Sequence, residues 1–317
     1  MISGKKFFIT GGAGFIGAAL AARLAAQNQV LLFDNLHRNA LANTALGSHP
    51  NISFQKGDVL NPDELKTGIA GATHVIHLAA IAGVDAVMES PVRTMRVNLL
   101  GTLNLLQAAS ELKGLERCVD FSTSEVFGTH AYKVEETHVT SQGSVGEARW
   151  TYAVSKLAGE YLAHSYHHEF GLPAVTVRPF NIYGPNQVGV GAIHHFVRRA
   201  LQNETIQIYG DGSQIRAWCY IDDIVDALLL ILEKTGAIGQ VFNVGNPRST
   251  VTVFELAKRI VQLSESRSPI EFKPLNYTDV EIRVPSIDKA RAVLGFDPKV
   301  DLDDGLRLTI AWYRSRQ

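Results

Sequence analysis

The sequence has only two cysteines, Cys118 and Cys219, far apart in 317 residues. That excludes a disulfide framework and leaves no cysteine-based zinc site. It lacks a charge excess of either sign. Thirty Lys and Arg stand against 31 Asp and Glu, a net charge of −1. A strong footprint for nucleic acid or an anionic membrane is excluded, although a local patch is not. No apolar run reaches the roughly 18 residues that a membrane-spanning helix needs. The N-terminal MISGKKFFITGGAGFIG has two lysines, but glycines interrupt the apolar run behind them and no small-residue cleavage site follows. No signal peptide is expected, and the expected compartment is the cytoplasm. Internal repeats and low-complexity stretches are missing too.

What is present is a core-forming composition, 46% hydrophobic and 19% charged, so disorder is not expected. At about 100–200 residues per domain, the length suits one large or two unequal domains. The first half alternates short apolar runs with longer amphipathic ones. Strands are expected at 5–10, 30–34, 52–58, 74–80, 117–123 and 173–181, and helices at 14–27, 92–112 and 151–170. Strands alternating with helices imply crossovers and a parallel sheet, the doubly wound α/β pattern. After Asn181 comes a Gly-, Pro- and Asn-rich loop, NIYGPNQVGVGA. Helices follow near 192–203, 222–234, 252–264 and 303–314, with a strand at 240–245. We expect residues 1–180, with a return segment at 222–248, to form one domain. Residues 181–221 and 249–317 then form a smaller C-terminal α/β domain.

Between the first strand and first helix, Gly11, Gly14 and Gly17 follow G-x-x-G-x-x-G. One glycine allows a tight turn, one lets backbone amides approach a pyrophosphate, and one lets helix and strand pack closely. The helix N-terminus then favours the anion. Context makes the motif specific: it leaves a strand and opens a helix near the start of the chain. Asp34 ends the second strand, twenty residues after Gly14. A carboxylate there accepts both ribose hydroxyls of an adenosine and repels a 2′-phosphate, which favours NAD over NADP. Asn35 adjoins it, and Arg38 and His37 temper the preference. Asp58 follows a strand from which it reaches the adenine. His77-Leu78-Ala79-Ala80 ends another, with small residues suited to close cofactor approach, and His77 itself reads as a packed core residue. His194 and His195 read as surface residues at a helix start, since two histidines without a third ligand make a poor zinc site.

Tyr152 and Lys156 form Y-x-x-x-K within the helical run RWTYAVSKLAGEYL, on one helix face. A tyrosine has an ordinary pKa near 10 and is a poor base at neutral pH. A neighbouring ammonium, and a positive nicotinamide above it, would favour the phenolate. Ser122-Thr123-Ser124-Glu125 lies at a strand end between the glycine turn and this pair.

Taken together, TGGAGFIG, Asp34, HLAA, STSEVFG, YAVSK and RPFNIYGPNQ resemble the extended short-chain dehydrogenase/reductase family, over essentially the whole chain. More narrowly, the chain resembles the nucleotide-sugar epimerases, dehydratases and decarboxylases. The resemblance implies a Rossmann-type domain, tightly held NAD, a nucleoside-diphosphate sugar and a 4-keto intermediate. It implies cofactor contacts at Gly11, Gly14, Phe15, Ile16, Gly17, Asp34, Asn35, Asp58, Val59, Leu78, Ala79, Ala80, Asn98, Tyr152 and Lys156. Tyr152 is then the base on the sugar 4-hydroxyl, Lys156 its partner, and Thr123 the hydroxyl on the same oxygen. Ser124-Glu125 is similar to UDP-glucuronate decarboxylases and GDP-mannose dehydratases. GEARWTYAVSK and YTDVEIRVPSIDKA tilt the choice to the decarboxylases, with Arg283 matching an arginine near the substrate carboxylate. A 4-epimerase or a dehydratase on a UDP- or GDP-sugar is the runner-up reaction, and a catalytically silent NAD-binding regulator is a distant third reading. Phe127 departs from the family's usual Tyr. Residues 129–150 read as a polar loop at the sugar site. Asn181, Tyr209 and Arg216 are the remaining substrate contacts implied, Arg216 as a clamp on the diphosphate. No metal is expected. Helices 92–112 and 151–170 carry spare apolar residues, so a homodimer with a four-helix interface is expected.

Overall fold

A computed structural model describes residues 2–316. The chain opens with β1 (Lys6–Thr10), α1 (Phe15–Leu24), β2 (Gln29–Asp34), β3 (Ile52–Lys56), α2 (Pro62–Gly68) and β4 (His74–His77). There follow α3 (Val84–Glu89), α4 (Pro91–Met95), α5 (Gly101–Ser110), β5 (Arg117–Phe121), β6 (His130–Val134), α6 (Thr151–Phe170) and β7 (Ala174–Pro179). Next come β8 (Ile182–Tyr183), α7 (Ala192–Leu201), β9 (Ile206–Tyr209), β10 (Ile215–Ala217), β11 (Cys219–Tyr220), α8 (Ile221–Glu233) and β12 (Val241–Val244). The chain closes with β13 (Thr250–Thr252), α9 (Val253–Leu263), β14 (Ile270–Lys273), β15 (Ile282–Pro285), α10 (Asp288–Leu294) and α11 (Leu302–Arg314).

Seven strands form one parallel sheet in the order β3-β2-β1-β4-β5-β7-β12. This is the doubly wound α/β architecture expected from the strand–helix alternation. Both faces are covered, so β4 and β5 are buried at every position, their polar members His74, His77, Arg117 and Asp120 included. Period-2 geometry splits neighbours between the two faces. Phe7 belongs to one buried cluster with Leu20, Leu32, Ile224 and Leu228, whereas Phe8 belongs to another with Phe33, Leu105, Leu106 and Ala163. Truncating either phenylalanine to Ala would cost about 3–5 kcal/mol.

A second sheet has the order β13-β10-β15-β6. β6 belongs to the stretch expected as a polar loop. Instead it pairs parallel with β15, and its buried Ala131 and Val134 join Val126, Phe127 and Phe180. The helix expected over 92–112 is also modified. A π turn, Arg96–Leu100, separates α4 from α5 and turns Asn98 into the interior. Among the described residues no helix is long and apolar enough to cross a membrane.

Candidate active site

The glycine turn is compact enough that side chains would not fit. Gly11 has φ +66, and a Cβ there would lie 2.6 Å from the Ala79 amide nitrogen. A Cβ at Gly17 would lie 2.6 Å from the Gly11 carbonyl, and the Gly14 N–H donates to that same carbonyl at 3.0 Å. Gly14 caps α1 without any side-chain hydrogen bond, which leaves the first amides of a ten-residue helix for an anion. Phe15 and Ile16 are half-buried in that turn. Asp34 is pinned beside it, accepting from Ala13 N at 3.0 Å and Leu36 N at 2.7 Å. Burial pushes its carboxyl up, against those backbone donors. The Asn35 side chain accepts from His37 N, and the Arg38 guanidinium donates to the Ala82 carbonyl at 2.6 Å. Asp58 is exposed in the turn after β3 and accepts from Leu60 N, with Val59 buried behind it. Leu78, Ala79 and Ala80 are half-buried where β4 ends. Asn98 is committed elsewhere. Its amide donates to Ile81 O and Ser155 Oγ and accepts from Ile81 N, so it fixes the segment after β4 against α6.

The catalytic candidates converge where β5 ends and α6 begins. Thr123 Oγ1 accepts from Glu125 N at 3.2 Å, capping a short 3₁₀ turn, Ser124–Phe127, and Ser124 is buried in it. The Tyr152 hydroxyl meets the Thr123 side chain. Burial pushes the phenol up to about 12, and Glu125 adds to this, while Thr123, Arg283 and Arg149 pull it down. The lowering expected from the ammonium together with a positive nicotinamide belongs to the cofactor-bound site; among the protein's own groups burial dominates. The chain buries the phenol beside a carboxylate, and Lys156 is not among the charges that dominate it. Lys156 is buried as well, and burial lowers its pKa against the pull of Asp120 and Glu160.

Beside Tyr152 sits a cluster of three guanidiniums and two carboxylates. Glu125 pairs with Arg149 at 2.6 Å and Arg283 at 3.4 Å. Asp279 pairs with Arg216 at 3.3 Å and Arg149 at 3.8 Å. Burial alone would raise Glu125, but Arg283 and Arg149 outweigh it and hold the carboxyl below its ordinary value. The cluster is one positive charge in excess. Among the described residues the cluster has three buried nitrogens without a partner, Arg149 Nε and Arg283 Nε and Nη2, and Arg283 alone has two of them. Those two nitrogens form one edge of the planar fork, the geometry that binds a carboxylate through two parallel hydrogen bonds. Arg149 and Asp279 were not singled out from sequence. Arg149 stands three residues before Tyr152, so helical spacing carried the signal.

Arg216 donates to Val280 O, Ile215 O and Asp279, and so secures the approach to β15. Burial, then Arg283, lowers its pKa to about 10. Asn181 has φ +42 and donates to Ala217 O at 2.9 Å, joining β8 to β10. Tyr209 is exposed at the end of β9. His77 is buried in the core as expected. His194 is not a surface residue. It is buried against α11 with Nδ1 at 2.5 Å from the Tyr313 hydroxyl, because α11 covers this face of α7.

The NAD dependent epimerase/dehydratase family matches residues 7–245. A UDP-N-acetyl-alpha-D-glucosaminuronate decarboxylase of Bacillus cytotoxicus is 34% identical over 322 residues, covering 98% of each chain. UDP-glucuronic acid decarboxylase 2 of Arabidopsis thaliana is 34% identical over 99% of this chain and 69% of its own. The solved UDP-glucuronic acid 4-epimerase of Bacillus cereus, in complex with UDP-glucuronic acid and NAD, superposes with a TM-score of 0.89. It is 29% identical over 98% of this chain and 100% of that one.

Proposed function

The chain belongs to the NAD dependent epimerase/dehydratase family, and on that premise we propose that it decarboxylates a UDP-linked uronic acid, UDP-glucuronate first. The glycine cradle and the uncapped start of α1 fit a dinucleotide pyrophosphate, and Asp34 fits an adenosine ribose. NAD held by Gly11, Gly14, Gly17 and Asp34 would supply a reversible hydride acceptor for sugar C4. Tyr152 takes the proton of the 4-hydroxyl, with the Thr123 hydroxyl on the same oxygen and Lys156 behind. A ketone at C4 is β to the carboxylate on C5, so loss of CO2 leaves its electron pair as an enolate. Thr123 and Tyr152 then donate to the enolate oxygen.

The observation that carries this reading is the unpartnered Nε/Nη2 edge of Arg283, buried close enough to Tyr152 to affect its pKa. A neutral hexose leaves that edge buried and unmatched, whereas a uronic acid fills it. Glu125, held ionised by Arg149 and Arg283, accepts from sugar hydroxyls, and Ser124 lines the same turn. Asn181, Tyr209 and Arg216 border the side toward the nucleotide. The second reading is C4 epimerisation of the same uronic acid, which the carboxylate-binding edge serves equally. The test incubates the protein with UDP-glucuronate, its N-acetylated 2-amino analogue, UDP-glucose and GDP-mannose. Loss of the mass of CO2 supports the proposal. Loss of water, or inversion at unchanged mass, overturns it.

The division of labour belongs to the proposal too: residues 1–180 and 222–248 hold NAD, and 181–221 and 249–317 hold the nucleotide sugar, joined there by β6. So does a cytoplasmic homodimer. Val92, Leu100, Val154 and Tyr161 expose apolar surface along α4, the π turn and α6, the face expected to pair in a four-helix interface. Sedimentation as a monomer at micromolar concentration would overturn the dimer, and recovery in a membrane fraction the compartment.

A further inference from the structure

A row of polar side chains crosses the main sheet beneath the site. Thr10, His77, Asp120 and Thr176 are register neighbours on β1, β4, β5 and β7, so they share one face. All four are buried. His77 is fully satisfied. Thr102 Oγ1 donates to Asn98 O at 2.7 Å and accepts from His77 Nε2 at 3.0 Å, so His77 Nδ1 accepts from Thr10 at 2.7 Å. The ring is neutral, and burial lowers its pKa to about 3.

Asp120 is different. It is 2% exposed, and among the described residues neither carboxylate oxygen has a hydrogen-bond partner. A carboxylate in that position is costly unless an opposite charge offsets it. The titratable groups around it are neutral His77 beside it on β4, Cys118 on its own strand, Lys156 and Glu160 on α6, and Arg178 on β7, two residues beyond its register neighbour Thr176. Arg178 and Glu160 neutralise each other at 2.7 Å. Of these groups Lys156 and Asp120 have no ion-pair partner within 4 Å among the described residues, although Glu160 also acts on both. Lys156 is 3% exposed, and Asp120 is the strongest opposite charge acting on it.

We propose that Asp120 is a positioning residue, the buried counter-ion that keeps the Lys156 ammonium charged behind Tyr152. This rests on the reading of Tyr152 and Lys156 as the acid–base pair. Burial favours the neutral amine, and a neutral amine cannot support a phenolate one helical turn away. One turn along α6 from Lys156, Glu160 is shared with Arg178, to which it is bound at 2.7 Å. The sheet supplies a second carboxylate: Asp120 lies on β5 and Thr123 caps the turn just after the strand, so one strand and its turn deliver both the counter-ion and the active hydroxyl. Burial raises the Asp120 carboxyl to about 6, Lys156 pulls it back and Glu160 adds to the rise.

The test compares wild type with Asp120→Asn, which keeps shape and removes charge. Asp120→Ser serves as a second variant should the first not fold. Turnover is followed against pH. Separately, acylation of Lys156 by acetic anhydride is followed against pH by peptide mass spectrometry, a readout that needs neither substrate nor cofactor. The alkaline limb of kcat and the onset of Lys156 acylation should both move to lower pH by about one to three units. A purely structural role for Asp120 would move neither. Profiles that coincide with wild type overturn the proposal. Lys156→Met separates the two readings. If that variant turns over like wild type, the acid–base reading itself fails. If it is inactive while the Asp120→Asn profiles stay unshifted, only the role of Asp120 fails.

Discussion

Replacing Arg283 with Ala removes the edge on which the substrate carboxylate is proposed to sit. Two charge-assisted hydrogen bonds at about 1.5–3 kcal/mol each are lost, together about 3–6 kcal/mol. At 1.4 kcal/mol per tenfold, kcat/KM for a uronic acid should fall by about 10²–10⁴. The fold should survive. Glu125 keeps Arg149 at 2.6 Å and loses only the 3.4 Å contact, and Arg216 is freed from a like charge that lowers its pKa. Arg283→Lys keeps the charge without the fork and should recover part of the loss, since one ammonium cannot donate along both parallel directions. The assay is CO2 release from UDP-glucuronate, with NAD binding and affinity for UDP-glucose measured alongside. The last two should hardly change, because neither involves a carboxylate at C5. CO2 release by Arg283→Ala within about tenfold of wild type would refute the reasoning and place the carboxylate elsewhere.

Four further outcomes are expected. Tyr152→Phe should keep its fold and its NAD but lose about 10²–10⁴ in turnover, and a smaller loss than tenfold would remove Tyr152 as the base. NAD should bind at least about tenfold tighter than NADP, because Asp34 faces the added phosphate as an unpaired like charge; equal affinity, measured by titration, would mean that Arg38 leaves Ala82 and dominates. His74, His77 and His194 are held neutral with pKa values near 4, 3 and 4, burial being the main cause in each. The unfolded chain therefore takes up these protons first, so their contribution is intact above about pH 6.5 and lost as pH falls toward 4; melting at graded pH should show a shallower acid loss for His74→Gln than for wild type. Asp120 has the opposite sign, its raised pKa costing stability once pH exceeds about 6, so Asp120→Asn should melt no lower than wild type at pH 8 and lose any advantage below pH 4.

The parallel sheet was legible because its strands are buried on both faces and stand out as short apolar runs between helical stretches. The glycine turn and Y-x-x-x-K were legible because local spacing alone carries their geometry. Other elements were not. α2 begins with Asn61 capping Asp63 and Glu64 and Pro62 in the first turn, a full start signal that its seven residues were too short to support by periodicity. β6 escaped because its core is supplied from elsewhere: Ala131 and Val134 are buried only once β15 and Phe180 close over them. Asp120 escaped for a related reason. On β5 it sits inside an otherwise apolar run, where its meaning depends on the register with His77 and Thr176 and on Lys156 overhead. The Arg–Glu cluster needs residues 125, 149, 216, 279 and 283 in one place, a distance in sequence that no local pattern spans. His194 reads as a surface residue in sequence because nothing near it announces α11.

The pairing of β6 with β15 also sets a schedule for synthesis. β6 is the edge of its sheet, with β15 as its neighbour, and residues 130–134 leave the ribosome long before residues 282–285 exist. At about 5–20 residues per second the delay is on the order of ten seconds or more. Through that interval the nascent chain carries an unpaired strand edge, and Glu125 and Arg149 wait without Arg283. An unpaired edge is a template for other chains. Production of the protein is therefore sensitive to translation rate and to chaperones that shield β-edges, and a fragment stopping near residue 180 inherits the exposed edge permanently.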